Sequence, residues 1–185
     1  ADFSYRLGPI EELDGLTMAV YGLGNIGSRV AAIAHAFGMK VISFTSKQQD
    51  ALPPYIEKVS RDEMLGRADV LSLNAPLAAD NRHFVCEETL ALMKPTAILI
   101  NTARGGLVDE HALASALREH RIAAAGIDVT DCEPPKADNP LSALDNCIIT
   151  PHIAWQSTGA RRRLLAVTAD NLAAFIDGHP QNVVS

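Results

Sequence analysis

The stretch AVYGLGNIG, Ala19 to Gly27, decides the fold. A short apolar run, Met18 to Tyr21, ends at a glycine, and Gly22, Gly24 and Gly27 follow with G-x-G-x-x-G spacing. A helical pattern then opens, with Ile26, Val30, Ile33 and Phe37 on one stripe, and Gly38 stops it. Strand, glycine turn and helix, in that order, are the context in which this spacing signals a dinucleotide site rather than a mere turn. Gly22 permits the tight turn, Gly24 lets a pyrophosphate approach the backbone, and Gly27 lets the helix pack close to the strand. The helix start, at Asn25 and Ile26, presents unpaired N–H groups and the positive dipole end to phosphates.

Working outward, residues 1–16 read as a connecting arm containing Gly8 and Pro9, residues 17–178 as one dinucleotide-binding domain, and residues 179–185 as a tail. After the glycine unit, Lys40 to Phe44 is a second strand, and Pro53-Pro54 marks a loop. Ser60 and Glu63 have capping-box spacing and start a short helix. Asp69 to Leu73 is a third strand, followed by Asn74-Ala75-Pro76, and a helix is expected around Cys86 to Met93. Ala97 to Ile100 is a fourth strand, running into Asn101-Thr102-Ala103-Arg104-Gly105-Gly106. Asp109 caps a helix to about Glu119. Ala123 to Val129 and Cys147 to Thr150 are the fifth and sixth strands, joined by a Pro- and acid-rich loop rather than a helix. Ser157 caps a last long helix ending near Gly178. Apolar strands mostly alternating with helices predict an α/β fold, a doubly wound parallel sheet of Rossmann-like, three-layer α/β/α type. The expected order of the six strands is 3-2-1-4-5-6, with ligand at their carboxyl ends where the order reverses.

Composition agrees with a sheet covered on both faces. Only 5% of residues are aromatic while 48% are hydrophobic, so the core must be built from Ala, Val, Ile and Leu. The net charge of -6, with both signs interspersed, argues against a nucleic-acid surface, and Arg161 to Arg163 form a solvated helix face. Cys86, Cys132 and Cys147 are far apart and odd in number, which predicts neither a disulfide framework nor a metal site and fits a reducing cytoplasm. No apolar run approaches membrane-spanning length, and no signal-peptide pattern opens the chain.

Three loops that follow strands carry candidate chemistry: Arg104 after the fourth, Glu133 after the fifth and His152 after the sixth. Arg offers a planar, two-pronged cation for a carboxylate substrate. His titrates near neutrality and suits protonation of a carbonyl under reduction, and a carboxylate beside it fixes the ring and favours imidazolium. Each has a plain alternative, as a surface arginine, a solvated loop acid and a structural histidine.

GLGNIG at 22–27, NTARGGLVDE at 101–110, GIDVTDCEPP at 126–135 and TPHIAW at 150–155 together resemble the D-isomer-specific 2-hydroxyacid dehydrogenases. The HIAW ending and the PPKADNPL stretch at 134–141 look most like the branch acting on glycerate and hydroxypyruvate. The resemblance implies that Arg104 binds the substrate carboxylate and carbonyl, that His152 is the general acid/base, and that Glu133 is its partner. It puts Asp128 against the nicotinamide carboxamide. It also puts Asn74, Ala75, Pro76, Thr102 and Ala103, with Arg104, His152 and Ala154, around the cofactor, NAD(H) or NADP(H). A homodimer is implied, with the arm Asp2 to Leu7 and the region after Trp155 as contacts.

Two departures from the family pattern stand out. Many NAD-using members end the second strand with an acid that grips the ribose hydroxyls. This chain has Thr45, Ser46 and Lys47 there, so the anionic barrier to a 2′-phosphate is missing and NADPH should be tolerated. Secondly, the family's substrate domain comes mostly from roughly a hundred residues ahead of this start, about one small domain. The resemblance therefore implies the cofactor-binding part of such an enzyme, inactive alone for want of the opposite wall of its cleft. The rival expectation is a non-catalytic dinucleotide-binding sensor or a corepressor-like module on the same fold.

Overall fold

The computed structural model describes residues 10–184. The expected arm contacts Asp2 to Leu7, with Gly8 and Pro9, lie outside the described residues. The chain forms two compact units, one reaching to Pro151 and one starting at His152.

The first unit is a seven-stranded parallel sheet. Its strands are β1 (Thr17–Tyr21), β2 (Lys40–Ser43), β3 (Ile56–Lys58), β4 (Val70–Leu73), β5 (Ile98–Asn101), β6 (Ala124–Ile127) and β7 (Cys147–Ile149), in the order β3-β2-β1-β4-β5-β6-β7. Its helices are α1 (Asn25–Ala36), α2 (Arg61–Arg67), α3 (Glu87–Leu90) and α4 (Glu110–Arg118). Adjacent strand residues face opposite ways, and both faces are covered. Val20 and Val41 pack with Ala31 and Ala34 of α1, whereas Ala19 and Ile42 pack with Met64, Leu65, Leu90 and Leu113 from α2, α3 and α4. This is the expected doubly wound, Rossmann-like class. Leu71, Leu73 and Leu99 are fully buried, each side chain worth about 2 kcal/mol by area removed from water.

One expectation is corrected. A strand was missing from the expected set: Ile56–Lys58, only three residues long, with Ile56 alone buried. No apolar run announces it, because Glu57 and Lys58 lie at the sheet edge, where Glu57 takes a two-pronged bond from Arg67. Asp69 to Leu73, expected third and at an edge, is thus the fourth strand and lies beside β1. On α1, Ile26, Ile33 and Phe37 of the apolar stripe are exposed while Val30 packs against the core; the buried residues are Gly27, Ala31 and Ala34. Small residues win that face because the helix must approach the sheet closely.

At the strand-start edge, the Asp69 carboxylate accepts from the Thr17 N–H and the Lys94 ammonium, both at 2.8 Å. Burial alone would push this carboxyl up, but these bonds and the charges of Lys94 and Lys40 outweigh it and hold it below the usual range.

The second unit contains α5 (Thr158–Ile176), capped by the Ser157 hydroxyl, which accepts from the Ala160 N–H at 3.2 Å. Leu164, Leu165, Leu172, Phe175 and Ile176 are exposed along it. Among the described residues, no helix is long and apolar enough to cross a membrane.

Candidate active site

The strand order reverses between β1 and β4, and the Gly22–Gly27 turn lies at their carboxyl ends. Gly22 has φ +94°, and a Cβ on it would stand 2.5 Å from the Ala75 nitrogen, so the turn presses directly on the loop after β4. A Cβ on Gly27 would overlap the Gly22 carbonyl oxygen. A Cβ on Gly24 meets no protein atom within 4 Å. The three glycines therefore serve different ends: two allow backbone contact, and the third keeps space open. Gly24 is also the N-cap of α1, with no side-chain cap and no acid in the first turn. The N–H groups of Asn25, Ile26 and Gly27 have no intrahelical partner by helix geometry. Open space beside uncapped donors fits a pyrophosphate.

Beside this turn is a cleft of about 240 Å³, lined by Ile26, Asn74, Ala75, Pro76, Thr102, Ala103 and Arg104. Residues expected around a cofactor, from three separate loops, thus line one hollow. Asn74 is fixed by donating its amide to the Ser72 hydroxyl at 3.0 Å. Arg104 is exposed, and its Nη1 donates to the Ala103 carbonyl at 2.6 Å.

The Arg104 turn has a support that the sequence reading passed over. Asn101 is fully buried at the end of β5; its Nδ2 donates to the Arg104 carbonyl at 2.9 Å and its Oδ1 accepts from the Ala103 N–H at 3.0 Å. An Asn closing a strand before a tight turn was the available signal, since its amide mimics a backbone turn.

At the end of β2, Thr45 is half-buried while Ser46 and Lys47 are exposed. Lys47 is directed at the glycine turn, where its ammonium donates to the Leu23 carbonyl at 2.9 Å. Its N–H donates to the Thr45 hydroxyl at 3.3 Å.

Beyond β6, Asp128 is 5% exposed and accepts from the Thr150 hydroxyl at 2.5 Å. That second partner was also not read from the sequence. Glu133 follows in the exposed loop, and its Oε1 accepts from the Thr130 N–H at 3.2 Å. His152 opens the second unit in the left-handed region, φ +52°, and its carbonyl accepts from the Gln156 amide at 3.4 Å. Ala154 also belongs to that second unit. The three cysteines are free thiols. Burial, with help from the Glu110 charge, pushes Cys147 up to about 11. Among the described residues there is no group of three or more side chains suited to hold a metal ion.

Residues 3–154 match the family model described as the D-isomer specific 2-hydroxyacid dehydrogenase, NAD binding domain. The chain belongs to this family. It is 42% identical over 178 residues to a hydroxypyruvate reductase of Blautia hydrogenotrophica, covering 96% of this chain and 55% of the relative. It is 45% identical over 184 residues to a glycerate dehydrogenase of Methylorubrum extorquens, covering 98% of this chain and 57% of that one. The chain thus spans about half the length of the curated relatives it matches. Among solved structures, D-lactate dehydrogenase with NAD+ from Lactobacillus jensenii superposes with a TM-score of 0.90 at 35% identity, over 100% of this chain and 60% of that one. The Gly22–Gly27 turn falls within the residues that match the family's NAD binding domain.

Proposed function

We propose that this chain is the cofactor-binding part of an oxidoreductase that interconverts a small 2-oxo acid and its D-2-hydroxy acid, with hydroxypyruvate and D-glycerate first among the candidates. The bound nicotinamide supplies the hydride in reduction and takes it back in oxidation. The observation that carries this is the cleft where Arg104 stands beside the open glycine turn. A carboxylate substrate held by a guanidinium there lies next to the place a dinucleotide would take.

In this mechanism Gly22, Gly24, Asn25, Ile26 and Gly27 hold the pyrophosphate. Asn74, Ala75, Pro76, Thr102 and Ala103 line the path of the cofactor, joined by His152 and Ala154. Asp128 has one oxygen committed to the Thr150 hydroxyl, and its carboxylate orients the carboxamide. Arg104 grips the substrate carboxylate and carbonyl. His152 donates its proton to the developing alkoxide, and Glu133 holds the imidazole in place. In the reverse direction neutral His152 takes the hydroxyl proton. Thr45, Ser46 and Lys47 surround the adenosine ribose. Lys47, already turned toward the glycine turn, supports acceptance of a 2′-phosphate, so that both NADH and NADPH serve. The protein works as a cytoplasmic homodimer, and sedimentation at micromolar concentration tests the pairing.

The test of the chemistry is turnover in both directions, with NADH affinity measured beside it, for the full-length enzyme. His152→Ala should cost roughly a hundredfold or more in turnover, the ordinary loss for a general acid. Glu133→Gln should lower turnover and leave NADH affinity nearly alone, because the carboxylate that fixes the ring is gone. Near-normal turnover in His152→Ala contradicts the mechanism, and unchanged turnover in Glu133→Gln contradicts the pairing.

A further inference from the structure

Residues 128–146, between β6 and β7, form a long connection without helix or strand, and Glu133 stands within it. Long irregular loops in compact domains are commonly functional, and a functional side chain on one must be held in place by neighbouring groups. Here one carboxylate holds both legs of the segment. Glu110, the first residue of α4, accepts the Asp131 N–H on Oε1 at 2.9 Å and the Asn139 amide on Oε2 at 2.8 Å. Glu133 lies between those two anchors. The Asn139 amide cannot turn over without loss, because its Oδ1 already accepts the Leu141 N–H at 3.0 Å. Asp131 is held from the other side by Arg82, whose Nη2 donates to both carboxylate oxygens at 2.9 and 3.0 Å. The same segment abuts the Arg104 turn, for a Cβ on Gly105 would overlap the Thr130 carbonyl. Glu110 itself starts from a fixed point, since Asp109 caps α4 by accepting from the His111 and Ala112 N–H groups.

We propose that Glu110 is a positioning residue: its carboxylate clamps the two legs of the Asp131–Asn139 segment and so sets where Glu133 stands relative to the Arg104 turn. This rests on the assignment of Glu133 as the partner of His152. Glu110 lines a separate polar hollow of about 300 Å³, shared with His83, His111 and Lys136, and not the cleft beside the glycine turn. Its loss should therefore weaken turnover and leave cofactor affinity alone.

The test uses Glu110→Gln in the full-length enzyme. The new amide keeps one acceptor oxygen but turns an N–H toward a donor, breaking one anchor. Turnover should fall roughly tenfold, as for a displaced catalytic group, with unchanged NADH affinity. The loss should fall on kcat with KM for NADH at its wild-type value, the same split as in Glu133→Gln and one that general destabilisation would not produce. Amide hydrogen exchange should rise across 131–139 while β4 and β5 stay protected. The double variant Glu110→Gln, Asn139→Asp should restore turnover. In it the new amide donates to a carboxylate that still accepts the Leu141 N–H. Unchanged turnover and loop exchange in Glu110→Gln overturns the clamp, as does a loss that the double variant fails to rescue. Glu133→Gln, measured beside it, separates the two failures: no effect there overturns the role of Glu133, whereas reduced turnover there beside an unaffected Glu110→Gln overturns the clamp alone.

Discussion

Two helix starts on the same sheet solve the same problem in opposite ways. At α4 the orphan N–H groups are closed internally: Asp109 accepts from His111 and Ala112, and an acid, Glu110, occupies the first turn. At α1 the cap is Gly24, with no side chain to accept and no acid in the first turn. A capped start is worth about 1 kcal/mol to a helix. Leaving α1 without one forgoes that stability in a chain that spends it at α2, α4 and α5, where Ser60, Asp109 and Ser157 all cap. The closed start supports a loop of the protein itself, through Glu110, and the open start leaves its N–H groups and the space beside Gly24 available to an anion, as the proposed pyrophosphate site requires.

The largest expected effect comes from closing the open start against its own backbone. Gly27→Val should prevent folding of the unit or cost several kcal/mol, because even a Cβ overlaps the Gly22 carbonyl. Chemical denaturation checks this, and a stability near wild type would mean that α1 does not need its close approach. A smaller effect sharpens the contrast between the phosphate turn and the ribose end of the same cofactor. Thr45→Asp should lower NADPH affinity about tenfold, a like-charge penalty of about 1.4 kcal/mol, and spare or improve NADH. Equal binding of both cofactors by the variant would remove Thr45 from the site.

How much of this was legible in the sequence follows from how each feature is encoded. The strand–glycine–helix unit was legible because three glycines at fixed spacing leave few other conformations. The caps at Ser60, Asp109 and Ser157 were legible because capping is a local affair of neighbouring residues. Ile56–Lys58 was not, since a short edge strand with two charged residues carries no pattern of two. Nor was the inward face of α1 legible from its stripe, because Ile26, Ile33 and Phe37 have the right period and face outward. Periodicity tells which residues share a face, while close packing on a sheet selects the small ones. Asn101, Glu110 and Thr150 went unread because their partners are set by turns and by neighbouring strands: Asn101 holds the Arg104 turn, Glu110 the segment around Glu133, and Thr150 the Asp128 carboxylate.

The smallest effect belongs to the strand-start side of the sheet, where the Asp69 carboxylate accepts from Thr17 and Lys94. Asp69 is held below its ordinary value in the folded chain, so its contribution is fully present above about pH 4 and is lost as pH falls through the lowered value. Asp69→Asn should flatten that part of the stability–pH curve and lower stability modestly at pH 7, with cofactor binding untouched. Denaturation midpoints between pH 2 and 7 measure it, and an unchanged slope would free Asp69 of that role.

The most direct test of the open start is the affinity of NADH for the wild-type chain, Gly24→Val and Asp109→Ala, followed by energy transfer from Trp155. Gly24→Val should fold, since its side chain starts in open space, and should lose roughly a hundredfold or more in NADH affinity, about 2.7 kcal/mol. Asp109→Ala should lose about 1 kcal/mol of stability and keep its NADH affinity. A folded Gly24→Val that binds NADH as tightly as wild type would contradict the account.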